Sequence, residues 1–103
     1  MEATMQPLEP LISVIMSVYN EKENWLIWSI ESVLEQSYKN FEFIIILDNP
    51  DNIKLDNIVQ KYCKRDSRIR YFKNEKNIGL VKSLNIALTH VKSDFIDRKS
   101  TRL

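Results

Sequence analysis

The chain has 103 residues, 44% of them hydrophobic and 28% charged, with a formal net charge of +1 at pH 7. That length bounds it to one small domain with one core, and the balanced charge gives no field that would favour a nucleic-acid or anionic-membrane partner. One cysteine, Cys63, excludes an intramolecular disulfide and fits a reducing, cytoplasmic setting. One glycine, Gly79, excludes the glycine-rich phosphate cradles.

Residues 1–10 carry two glutamates and two prolines and form a loose lead-in rather than a secretory signal. No apolar run approaches the roughly 20 residues that cross a bilayer. The run 11–18, LISVIMSV, is nearly continuous, apolar and rich in β-branched residues, and suits a parallel strand buried on both faces. Asn20 followed by Glu23 predicts a capping box and a helix starting near Glu21. On a helical wheel Ile30, Val33 and Leu34 fall within about 80° of Leu26, whereas Trp25 and Trp28 lie about 260° and about 200° from it, away from the sheet. Residues 37–40 close that helix, and 41–47, FEFIIIL, is a second buried strand ending at Asp48.

Asn49-Pro50-Asp51-Asn52 is turn chemistry, with Asp51 or Asn52 available as a helix cap. Leu55, Ile58, Val59 and Tyr62 then make an amphipathic stripe. Residues 69–72 predict a short third strand, Leu80, Leu84, Ala87, Leu88 and Val91 a third helix, and Phe95-Ile96 the start of a fourth strand. The alternating order predicts an α/β fold, a three-layer sandwich of Rossmann-like architecture with a mainly parallel sheet covered by helices on both faces. The subdomain is expected over residues 11–96, with 97–103 as an atypical tail rich in cations, so that the chain reads as truncated.

In open parallel sheets ligands bind outside the carboxyl ends of the strands, which here means Ser17, Val18, Tyr19, Asn20 and Glu21 after the first strand and Asp48 after the second. A carboxylate there can accept a ring N–H of uracil or guanine, and a tyrosine can stack on a base. No serine or cysteine is paired in sequence with the lone histidine, His90, so the pattern points to base recognition rather than hydrolysis. Each group also has an ordinary role: Asp48 as a turn cap, Glu21 in a first helical turn, His90 near a helix end and Cys63 as a small buried hydrophobe.

The run 12–21, ISVIMSVYNE, resembles the opening of family 2 glycosyltransferases, whose common form is an apolar strand followed by Pro-x-Tyr-Asn. Residues 30–38, IESVLEQSY, resemble that family's first helix, 41–48 the strand ending in its nucleotide-binding aspartate, and Asn77-Ile78-Gly79-Leu80 with Lys82, Ser83, Leu84 and Asn85 its Asn-x-Gly segment and following helix. The resemblance implies a GT-A fold and transfer of a sugar from a nucleotide-diphosphate donor, commonly a UDP-sugar, to a glycan acceptor. It implies further that Ser17 and Tyr19 line the nucleoside pocket, that Asp48 contacts the base and that Lys82 lies near the diphosphate.

The departures are specific. Ser17 stands where the family has proline, and Asp48-Asn49-Pro50 retains one carboxylate where the family often has two. The divalent cation of the family, Mg²⁺ or Mn²⁺, needs clustered oxygen ligands, yet the Asp-x-Asp motif expected after Ile96 is replaced by Asp97-Arg98-Lys99. The chain alone is therefore expected to bind nucleotide without catalysing transfer. A stand-alone regulatory nucleotide-binding module is the alternative; a response-regulator receiver is rejected because Tyr19-Asn20-Glu21 and Lys73-Asn74 stand where its acidic pair and phospho-accepting aspartate belong. Trp25 and Trp28 offer a protein or membrane-surface contact.

Overall fold

The computed structural model describes residues 9–99. The elements run β1 (Ile12–Val18), α1 (Glu23–Leu34), β2 (Phe41–Leu47), α2 (Ile53–Arg65), β3 (Ile69–Lys73), α3 (Leu80–Thr89) and β4 (Phe95–Arg98). The strands form one sheet in the order β3-β2-β1-β4, and every neighbouring pair is parallel. The chain therefore walks outward from β1 to β3 and then returns to the other side of β1. Right-handed crossovers in opposite directions put their helices on opposite faces, so α1 and α2 cover one face and α3 the other.

Side-chain alternation along the strands follows from that layering. Val14, Met16, Val18, Phe43, Ile45 and Leu47 pack with Leu26, Ile30 and Val33 of α1 and with Leu55 and Val59 of α2. Ile15, Ile44 and Ile46 face Ala87 of α3. The second core is the thinner one, since α3 buries only Ser83 and Ala87. Polar groups supplement it. Glu42 shares the α3-facing row with Ile44 and Ile46, and its carboxylate accepts from Ser13 Oγ at 2.6 Å, Arg70 at 2.9 Å and the Lys92 N–H at 2.7 Å. Burial pushes the Glu42 carboxyl up, but those donors outweigh it and hold it below its ordinary value.

Three details differ from the sequence reading. The helix α1 begins at Glu23 with Lys22 as its N-cap and no side-chain cap bond. No Asn20–Glu23 box forms, because Lys22 rather than Asn20 takes the N-cap place; Glu21 instead accepts the Tyr19 N–H at 2.7 Å. Leu34, not residues 37–40, ends that helix. The strand β4 continues through Asp97 and Arg98, past the expected boundary at Ile96, because Val14 and Ile15 offer ladder partners there; residues 100–103 of the expected tail lie outside the described residues. Among the described residues no helix is long and apolar enough to cross a membrane.

The core assignment has a direct check. Ile45 is fully buried in β2, whereas Ile53, at the start of α2, is 68% exposed. Ile45→Ala is expected to cost about 2–5 kcal/mol by urea denaturation, and Ile53→Ala to stay within about 0.5 kcal/mol.

Candidate functional site

The row Glu42, Ile44, Ile46 on β2 continues by the same two-residue period to Asp48, one residue past the strand. Asp48 thus points to the α3 face and is 2% exposed. A buried carboxylate must be hydrogen-bonded, and this one is fully supplied. Oδ1 accepts from Asn74 Nδ2 and the Ile78 N–H, each at 2.8 Å. Oδ2 accepts from Asn77 Nδ2 and the Gly79 N–H, also each at 2.8 Å. The Asp48 backbone carbonyl takes a further bond from Asn77 Nδ2 at 3.1 Å, and its N–H donates to the Val18 carbonyl at 2.7 Å.

The loop before α3 is shaped to deliver those donors. Gly79, the N-cap of α3, has φ 96°, a left-handed region that glycine enters without penalty. The consecutive N–H groups of Ile78 and Gly79 then converge on one carboxylate at the positive end of the helix dipole. Asn74 bridges to α3 as well, donating to Ser83 Oγ at 3.0 Å. Burial pushes the Asp48 carboxyl up; the hydrogen bonds from Ile78, Asn74, Gly79 and Ser83 overcome that and leave it below its ordinary value.

The other residues expected at the site are distributed around this knot. Ser17 and Val18 are buried at the end of β1, and Tyr19 is 42% exposed beside them. Asn20 lies on the α1 and α2 side, where its Oδ1 accepts from Asn52 Nδ2 at 3.2 Å. There Asn20, Asn49, Asp51, Asn52, Ile53 and Lys54 line an open cleft of about 360 Å³. Asn52 also caps α2 through the Leu55 N–H. Lys82 is exposed on the first turn of α3, one residue from the inward-facing Ser83. The structure thus gathers Asp48, Asn74, Asn77, Ile78, Gly79 and Ser83 into one network, and gathers Asn20 with Asn49 in the cleft; Tyr19 and Lys82 stand free of both.

Asn74 has no site role in the sequence reading, and Asn77 and Ser83 figure only as family resemblance. The signal available for Asn74 was its place directly after the third strand, level with Asp48, since the Asn74 N–H continues the ladder to the Leu47 carbonyl at 2.9 Å.

Comparison with known proteins agrees with the fold. The model of glycosyl transferase family 2 matches residues 13–96. An uncharacterized glycosyltransferase of Methanocaldococcus jannaschii is 46% identical over 88 residues, covering 85% of this chain and 30% of the relative. Among solved structures, S. aureus TarS 1-349 in complex with UDP-GlcNAc superposes with a TM-score of 0.76 at 26% identity, over 87% of this chain and 26% of that one. The mannosyltransferase PcManGT of Pyrobaculum calidifontis, in complex with GDP-Man and Mn²⁺, shares the fold with a TM-score of 0.75 at 18% identity, over 87% of this chain and 27% of that one. The chain spans under a third of each of these proteins.

The charge on Asp48 sets a pH dependence. Its folded pKa lies below the unfolded value of about 3.9, so its stabilisation is complete above about pH 4 and is lost as pH falls through the lower, folded value. Asp48→Asn places an amide N–H against N–H donors, and Asp48→Ala leaves four donors unmet; each is expected to cost about 3 kcal/mol at pH 7. Urea denaturation at a series of pH values should show the gap between wild type and Asp48→Asn closing below about pH 4.

Proposed function

Because the chain belongs to glycosyl transferase family 2, we propose that it seats the nucleotide of a nucleotide-diphosphate sugar at the carboxyl edge of its sheet. The sugar is then passed to a glycan acceptor in the whole protein. The observation that carries this reading is the Asp48 network. A buried, ionised carboxylate at the end of β2 organises a loop and a helix N-terminus at the carboxyl ends of the strands, the edge where open parallel sheets bind ligands.

Within that seat Tyr19 is the stacking platform, since its ring is exposed next to the buried Val18. Ser17, Asn20 and Glu21 shape the turn that carries it, Glu21 by holding the Tyr19 N–H. Lys82, exposed on the first turn of α3, supplies a cation for the diphosphate. A UDP-sugar is the donor we assign first, by analogy with the UDP-GlcNAc of the TarS complex.

A divalent cation is part of this family's chemistry by resemblance, and the PcManGT complex contains Mn²⁺. Among the described residues no three His, Cys, Asp or Glu side chains come together as ligands, and Asp97 Oδ1 accepts the Arg98 N–H at 2.8 Å. The residues described act by binding and orienting the nucleotide. We take the protein to be cytoplasmic and to work peripherally at the inner face of the membrane. Trp28 supports a surface contact there: it is 60% exposed, with Lys99 Nζ 4.8 Å above its ring.

Titration calorimetry of the chain with UDP and GDP tests the reading. Binding is expected, and Tyr19→Ala should weaken it about tenfold or more, as loss of one base–aromatic stack does. A chain that is folded by circular dichroism and binds neither nucleotide would contradict the proposal.

A further inference from the structure

We infer that β4 is a docking edge for a second copy of this chain, the two β4 strands pairing antiparallel about Ile96. The sheet has two edges, and they are built differently. On β3 the side chains are tied down: Arg70 donates to Glu42, and Tyr71 and Lys73 donate to Asp56. On β4 all four residues are exposed, Phe95 at 55% and Ile96 at 48%. Their register with Ile12 and Ser13 puts those two on opposite faces, so neither α1 nor α3 covers the strand. An apolar edge left open on both faces is a template for another strand. Glu9 and Pro10 lie away from it, held by Asn40 and Tyr38 on the β2 side of β1.

The backbone decides which residue leads the pairing. The Lys99 N–H donates to the Ile15 carbonyl at 2.9 Å, so by alternation Asp97 also turns toward β1, while Ile96 and Arg98 turn outward. The Arg98 N–H is capped by its own neighbour, Asp97 Oδ1, at 2.8 Å. Among the described residues Ile96 keeps both outward groups open, an N–H and a carbonyl. Those are the two groups that facing residues of antiparallel strands exchange.

A twofold axis through Ile96, perpendicular to the sheet, makes the contact identical from either side. Ile96 then meets Ile96 of the second copy, and Asp94 of each copy stands opposite Arg98 of the other. Two cross-strand pairs of opposite charge support that register. Centred instead on Asp94, Asp97 or Arg98, the symmetric pairing sets like charges face to face, which destabilises. Centred on Phe95, it leaves Asp94 opposite Ile96. Among the described residues neither Asp94 nor Arg98 has an ion-pair partner in its own chain, so both are free for this one. The two four-stranded sheets become one continuous sheet.

Sedimentation equilibrium of the 103-residue chain at concentrations up to about 1 mM tests this, since weak complexes dissociate in that range. The wild-type chain is expected to pass from monomer to dimer as concentration rises. Asp94→Arg and Arg98→Asp each turn both charge pairs repulsive, and each should weaken self-association about tenfold or more. Both sites are exposed, so the variants should keep the wild-type circular dichroism. Mixed together, the two variants meet with every pair attractive again and should form a heterodimer as tight as the wild-type dimer. The double variant, which carries the same pairs reversed, should dimerise as the wild type does. A wild-type chain that stays monomeric, single variants that associate undiminished, or a mixture no tighter than its parts overturns the inference.

Discussion

A single buried carboxylate determines how the carboxyl end of this sheet is built. Asp48 extends an apolar row of β2 into a position where water cannot reach it, and an ion so placed is tolerable only when its oxygens are supplied with donors. The supply comes from two stretches: Asn74 after β3, and the Asn77-Ile78-Gly79 loop, whose last residue is the N-cap of α3. The unusual backbone at Gly79 follows from the same demand, since two successive N–H groups must converge on one side chain.

The opposite end of the same row is also a carboxylate. Glu42 holds the Lys92 N–H just after α3 and pairs with Arg70, while Asp48 holds the N–H groups just before α3. The helix α3 buries little of its own surface, so it is located by its two ends more than by its middle. The face under α1 and α2 is filled by Leu26, Ile30, Leu55 and Val59, with Tyr62 donating to Glu31 and Tyr71 to Asp56 at its margin. The α1 and α2 side thus carries the larger apolar core, and on the α3 side the loop before the helix hangs on one charge.

Much of this was legible from the residues alone, because hydrophobic period is a local property. The runs ending at Val18 and Leu47 are strands buried on both faces, and Leu55, Val59 and Tyr62 form the buried stripe of α2, with Asn52 as its cap. Asp48 stood out as a carboxylate ending an apolar strand. Its partners did not, since Asn74, Asn77, Ile78 and Gly79 lie 26 to 31 residues away and a pattern of spacing carries no information on which loops meet. The Asn20–Glu23 capping box failed because the helix starts two residues later than expected, with Lys22 as its N-cap, which puts Glu23 at the first helical position rather than the third. What the sequence could not convey about Asp48 was that both its oxygens are already supplied with donors.

Amide hydrogen exchange at Ile78 and Gly79, compared with the amides of β2 in the same chain, measures the hold of Asp48 on this loop most directly. In the wild-type chain both N–H groups should be protected, and in Asp48→Asn their exchange should accelerate by about tenfold or more relative to β2. An unchanged ratio would show that the loop keeps its shape without the carboxylate, and would contradict the account.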